Sequence, residues 1–213
     1  MLLQSVMRRV IGAAMVLGAA VVVRGDIVID EFAGPVAGVG AVDADPGLAT
    51  VSTAANNVAG IPGAWRIVRA NRVAGGTGAV KCFGHIGQLK YDQTDSSRGV
   101  GSVWWDGDSD DTFGDGGFPA VDLTEGGANK VLSLTKIDFK NAVKLTITVK
   151  TTTGTRTYEE TLAGPPFLGF DKNIGFNAFT GTGSFTSVTA IRIAFDGSGD
   201  SGSRLSFDAV KAR

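Results

Sequence analysis

One histidine and one cysteine occur in 213 residues. That scarcity removes disulfide frameworks, Cys/His metal clusters and most histidine-based catalytic schemes. The 6 prolines are outnumbered by 31 glycines with no three-residue period, which excludes a collagen-like rod. Charged residues make up 19% and the formal net charge is −1, too little for charge-driven disorder and no basis for a nucleic-acid surface. No apolar run reaches the roughly 20 residues of a membrane-spanning helix. Hydrophobic residues nonetheless amount to 43%, enough to build a core in a chain of this length.

The N-terminus reads as an export signal. Arg8 and Arg9 precede an uncharged stretch from Val10 to Val23, and Val23-Arg24-Gly25 offers residues a signal peptidase accepts. The competing readings are a buried core helix and a retained anchor. The expected products are a signal peptide over 1–25 and one domain over 26–213, beginning at Asp26 in a secreted, periplasmic or surface protein. Losing Arg8, Arg9 and Arg24 takes the 20 basic side chains to 17 against 21 acidic ones, a net of −4.

What the remainder has in abundance is period two, the spacing of strands. In Lys144-Leu-Thr-Ile-Thr-Val-Lys150, Leu145, Ile147 and Val149 share one face and the polar residues the other. Thr153-Gly154 then turns the chain into a hairpin partner over Thr155–Leu162. The same alternation marks Asp26–Phe32, Trp65–Val73, Ala79–Phe83, Gln88–Tyr91, Val100–Trp105, Val131–Phe139, Ile191–Phe195 and Leu205–Ala209. Residues 33–63 read as a long connection with one weak strand near Leu48–Ser52, and Gly75–Gly78 as a hairpin turn. About ten short strands without helices imply an all-β antiparallel β-sandwich or jelly roll, with a barrel as the alternative.

The order of landmarks carries a resemblance. Ile29-Asp30-Glu31-Phe32 is followed by Trp65-Arg66-Ile67-Val68, Gly87-Gln88-Leu89 and a Gly99–Trp105 strand ending in an acidic turn. Val121-Asp122-Leu123-Thr124, Asn129-Lys130-Val131-Leu132, Val188–Ile193 and Leu205-Ser206-Phe207-Asp208 complete the series. This resembles a group of bacterial exported β-sandwich proteins of the PEP-CTERM-associated type, whose fold is similar to carbohydrate-binding jelly rolls. The resemblance implies the fold and export but no activity. The chain stops at Arg213 without the Pro-Glu-Pro, apolar helix and basic tail of that sorting segment, so sorting by that route is not implied.

Three groups of side chains attract a functional reading. Asp106, Asp108, Asp110, Asp111 and Asp115 crowd one loop, with the two-residue recurrence of Ca²⁺-binding loops. Asp111 stands where an EF-hand wants glycine, and Gly117 where it wants glutamate, so a solvated acidic turn competes with the calcium site. Trp104 and Trp105 are adjacent on a strand and must leave on opposite faces. One of them, with Tyr91 and Trp65, is a candidate platform for stacking on sugar rings. Its competitor is an indole covered by the 33–63 connection. The first and last strands of a jelly roll adjoin, which would bring Asp30 or Glu31 near Asp208.

Catalysis has thinner support. His85 stands alone in Cys82-Phe-Gly-His85, there is no Gly-X-Ser-X-Gly elbow, and Glu159 and Glu160 face opposite ways. Cys82 reads as a small buried residue. The leading expectation is therefore an exported non-enzymatic binding or structural module. Its partners would be a glycan or an envelope or matrix component, with no nucleic acid and no membrane span in the mature chain. The alternative is a carbohydrate-binding sandwich with Ca²⁺ as candidate ion, and a glycoside-cleaving enzyme comes last.

Overall fold

Alternating side chains decide which face of each strand is dry, and the computed structural model shows two sheets laid dry face to dry face. It describes residues 25–32, 40–44, 50–53, 60–75, 77–85, 87–94, 96–163 and 167–213. The expected leader lies outside them except for Gly25. The strands are β1 (Ile27–Asp30), β2 (Gly40–Asp43), β3 (Thr50–Thr53), β4 (Trp65–Ala74) and β5 (Val80–His85). Next come β6 (Gln88–Gln93), β7 (Arg98–Asp106), β8 (Val131–Lys140), β9 (Val143–Thr151) and β10 (Gly154–Leu162). The last are β11 (Phe167–Gly175), β12 (Thr180–Gly181), β13 (Val188–Asp196), β14 (Arg204–Phe207) and β15 (Ala209–Ala212). Among the described residues there is no α-helix, only a 3-10 turn at Phe176–Ala178.

All pairings are antiparallel. A 7-stranded sheet runs β12-β10-β9-β13-β7-β4-β3, and an 8-stranded sheet runs β1-β15-β8-β14-β6-β5-β2 with β11 on the other edge of β8. The expected hairpin is present: β9 and β10 pair from Gly154↔Thr151 to Leu162↔Val143. Its inward residues Val143, Leu145, Ile147 and Val149 are fully buried, opposite Leu205 and Phe207 in one core cluster. β1 lies beside β15, as the adjacency of first and last strands requires.

Three expectations need correction. Gly75–Gly78 is no hairpin turn, because β4 and β5 belong to different sheets and the segment carries the chain between them. Residues 33–63 contribute two strands, β2 beside β5 and β3 beside β4. β11 was hidden in sequence by its irregularity: Gly169 interrupts it with φ +71°, and its register against β8 shifts twice. A bulged strand loses the period of two that makes strands visible.

Between the sheets lies one ion pair. Asp30 comes from β1 and Arg66 from β4, so the pair spans the core. One guanidinium nitrogen of Arg66 donates to both Asp30 oxygens at 3.1 and 3.0 Å. Trp105 Nε1 donates to the same carboxylate at 2.8 Å and the Phe32 amide at 2.7 Å. Burial pushes the Asp30 carboxyl up, while the Arg66 charge and these donors oppose the rise. The Phe32 ring stands under the guanidinium, 5.4 Å from its centre.

Removing one partner strands the other charge in the core, which costs about 3–5 kcal/mol, whereas replacing both by apolar residues is near neutral. Arg66→Met is therefore expected to destabilise the fold by about 3–5 kcal/mol in urea unfolding, and Asp30→Leu/Arg66→Met to recover most of that loss. A single variant as stable as the parent would show that the pair is not what joins the layers.

Candidate functional site

Both indoles are inside the protein. Trp105 is 0% exposed in the sandwich core and Trp104, on the opposite face of β7, is 2% exposed. Tyr91 is equally buried, its hydroxyl donating to Gly99 O at 2.6 Å. Trp104, Trp105 and Tyr91 thus offer no platform to a ligand, which corrects the stacking site expected from them. Alternation places Trp104 on the outer face of its sheet, but that face is covered. Its register neighbour Arg192 carries the Phe113 ring at 5.0 Å, and Phe113 belongs to the aspartate loop.

The loop from Asp106 to Gly117 folds back on the outer face of the seven-stranded sheet. Lys150 Nζ donates to the carbonyls of Phe113 and Gly114 at 3.0 and 3.1 Å, holding the loop down. Asp106 is fully buried and organises the turn, accepting from the amides of Gly107 at 2.6 Å, Gly117 at 2.7 Å and Gly114. Gly114 has φ +81°, a conformation that strains any other residue, and an added Cβ would sit 2.2 Å from the Lys150 side chain and displace it.

Of the five aspartates only Asp108, Asp110 and Asp115 converge, with carboxylate oxygens within 4.8 Å of one another. Asp106 is occupied by amides and Asp111 faces solvent outside the group. Partial burial, then the charges of Asp110, Asp106 and Asp115, raise the Asp108 carboxyl above its ordinary value, against the Asp110 amide that lowers it. The spacing of the aspartates shows the crowding, but not which of them turns inward.

A second arrangement was not visible in the sequence. On the outer face of the eight-stranded sheet, β14 lies between β6 and β8. Pairing places Lys90, Ser206 and Asp138 in one row and Asp92, Arg204 and Lys140 in the next. Phe83 continues the first row on β5, opposite Lys90. These side chains line a shallow, open cleft of about 370 Å³. Phe83 is half-buried, and Arg204 Nε donates to Asp92 at 2.7 Å. Each contributing strand shows the alternation, as in Lys90/Asp92 and Asp138/Lys140, but nothing local says that β14 separates the two pairs.

The other acids singled out in the sequence are engaged. Asp208 does not meet Asp30: it pairs with Lys136 at 2.9 Å and accepts from Gln88 at 2.9 Å, while Glu31 pairs with Lys211 at 3.1 Å. Glu159 pairs with Lys144 at 3.0 Å and Glu160, on the other face, with Lys172 at 2.5 Å. Burial raises Glu160, but hydrogen bonds from Lys172 and Tyr158 outweigh it and hold the carboxyl below the usual range. His85 lies at the end of β5 opposite Gln88, and Cys82 is buried with its thiol pushed up by burial. Among the described residues no helix is long and apolar enough to cross a membrane.

No protein-family model and no curated protein sequence matches the chain. Among solved structures it is similar to the family 11 carbohydrate-binding module of a cellulosomal cellulase of Clostridium thermocellum. The match has 16% identity over 88% of this chain and 94% of that one, with a TM-score of 0.41. It is also similar to the family 29 module CBM29-2, at 17% identity over 78% of this chain and 86% of that one, with a TM-score of 0.33.

The crowded carboxylates make a prediction about pH. Folded Asp108 keeps its proton to higher pH than an unfolded aspartate, so stability falls as pH rises from the ordinary aspartate value through the raised one. In chelator at neutral pH, Asp108→Asn is expected to raise the melting temperature by about 1–3 °C. A melting temperature that drops would mean that Asp108 is a structural acceptor instead of a repelled charge.

Proposed function

We propose that this protein is an exported, non-catalytic module that binds carbohydrate in the cleft over β6, β14 and β8. The observation that carries the reading is the cleft's composition. Sugar rings present an apolar C–H face edged with hydroxyls, and a site that holds them needs a flat apolar surface ringed by donors and acceptors. Phe83 supplies the surface, while Ser206, Arg204, Lys90, Asp92 and Asp138 supply both kinds of polar partner. The two acids in the cleft already have partners, Asp92 in Arg204 and Asp138 in the Gly169 amide. That suits fixed acceptors better than a proton-shuttling pair.

The convergence of Asp108, Asp110 and Asp115 supports a second component, a Ca²⁺ that neutralises the loop. It would be structural, since that loop lies on the other sheet from the cleft. Calcium is expected to raise the melting temperature of the parent and leave an Asp108→Asn/Asp115→Asn variant unmoved. Calorimetry without heat of binding would remove the ion from the account.

The carbohydrate reading is tested on a glycan array with the parent and Phe83→Ala. Loss of an aromatic contact is expected to weaken binding by about tenfold, roughly 1.4 kcal/mol, with the melting temperature nearly unchanged. An array without hits, or hits indifferent to Phe83, would reject it.

A further inference from the structure

We infer that the cleft takes an acidic polysaccharide, one bearing carboxylate or sulfate groups on successive sugar units. The inference rests on the carbohydrate reading and narrows it. Three cations, Lys90, Lys140 and Arg204, line the cleft with two carboxylates, Asp92 and Asp138. The carboxylates are not equally available to all three. Asp92 accepts from Arg204 Nε at 2.7 Å, and one oxygen of Asp138 accepts from the Gly169 amide. Arg204 spends only that nitrogen and keeps the rest of its fork for another anion. Among the described residues, the side chains of Lys90 and Lys140 make no hydrogen bond and no ion pair.

Position strengthens the assignment. Lys90 stands on β6 and Lys140 on β8, separated by β14, whose Ser206 pairs with Lys90 and whose Arg204 pairs with Lys140. Two strand spacings across and two residues along separate their backbones by about 12 Å. Backbones that far apart let the two lysines meet charges on successive units of a polymer, while Arg204, between them, offers a planar donor fork to a carboxylate or sulfate. The half-buried Phe83 ring beside Lys90 suits a sugar ring and gives the site more than charge. A neutral glycan can accept hydrogen bonds from the lysines but brings no charge to balance theirs, whereas a carboxylate or sulfate makes the stronger charge-assisted bond.

The test is calorimetry of the full chain with three oligomers of equal length: oligogalacturonate, a sulfated galactan and a neutral β-glucan. A single-stranded oligonucleotide serves as a polyanion of another class. We expect one or both acidic oligomers to bind at least about tenfold more tightly than the glucan at low salt. With two charges neutralised, that affinity should fall by roughly 30-fold for a tenfold rise in salt. Lys90→Gln/Lys140→Gln should abolish the preference while keeping the parent's melting temperature, because both side chains lie on the outer face. Preference for the sulfated or the uronate oligomer tells which anionic group is read.

Glucan binding as tight as that of the acidic oligomers, unaffected by the lysine changes but lost in Phe83→Ala, overturns this inference and leaves the carbohydrate reading standing. Tighter binding of the oligonucleotide overturns it in favour of nucleic acid. No binding of any oligosaccharide overturns both.

Discussion

Asp30 and Arg66 meet in the middle of the sandwich, one from each sheet, and the side chains around them keep the two charges paired. Charges removed from water need partners: the carboxylate accepts from Trp105 Nε1 and the Phe32 amide, and the Phe32 ring lies against the guanidinium, whose Nε has no hydrogen bond among the described residues. Phe32 reaches this position with φ 50°, a conformation that few residues without a short polar side chain adopt. Most of the rest of the interior is aliphatic and aromatic and sets no particular alignment of one sheet over the other. The ion pair does, because a shift of either β1 or β4 would leave a charge unpaired, and two smaller ties add to it: Tyr91 and Gln93 of β6 donate to the Gly99 carbonyl of β7, and Asp43 of β2 accepts from the Arg72 amide of β4.

That alignment divides the molecule's outer surfaces into two kinds. On the seven-stranded sheet the aspartate loop closes down, with Phe113 lodged over Arg192 and Lys150 bonded to its carbonyls. The chemistry of this face is therefore that of an anchored loop with three converging carboxylates. On the eight-stranded sheet, none of the described residues forms a loop over Phe83, Lys90 and Arg204 where β14 lies between β6 and β8, and these side chains line an open cleft. One sandwich thus offers an acidic loop on one side and a cation-rich cleft on the other.

Much of this was legible from the chain alone. The period of two in Leu145, Ile147 and Val149 named the inward residues of β9, and the same signal found most other strands, since alternation is a local property of a pleated backbone. The opposition of Glu159 and Glu160 followed from the same geometry, and the adjacency of β1 and β15 from the way a jelly roll brings its first and last strands together. Where the backbone breaks its period, as in β11 around Gly169, the signal disappeared with it. The crowding of aspartates between Asp106 and Asp115 was plain, but Asp106 turned into the loop's own amides while Asp108, Asp110 and Asp115 came together.

Composition and alternation determined the class of fold, the dry face of each regular strand and the exclusion of disulfide frameworks and Cys/His metal clusters. They are local properties that a chain carries before it folds. Only the tertiary structure decided that Trp104 is covered although it points away from the core, because an outer face is wet or dry according to whether the neighbouring loop folds back on it, and here that is fixed by Lys150 and Arg192 from other strands. It likewise decided that Phe83, Lys90, Arg204 and Lys140 share one cleft. Neighbours across a sheet are set by which strands pair, and those pairings join residues more than a hundred positions apart, as in Arg204 with Asp92.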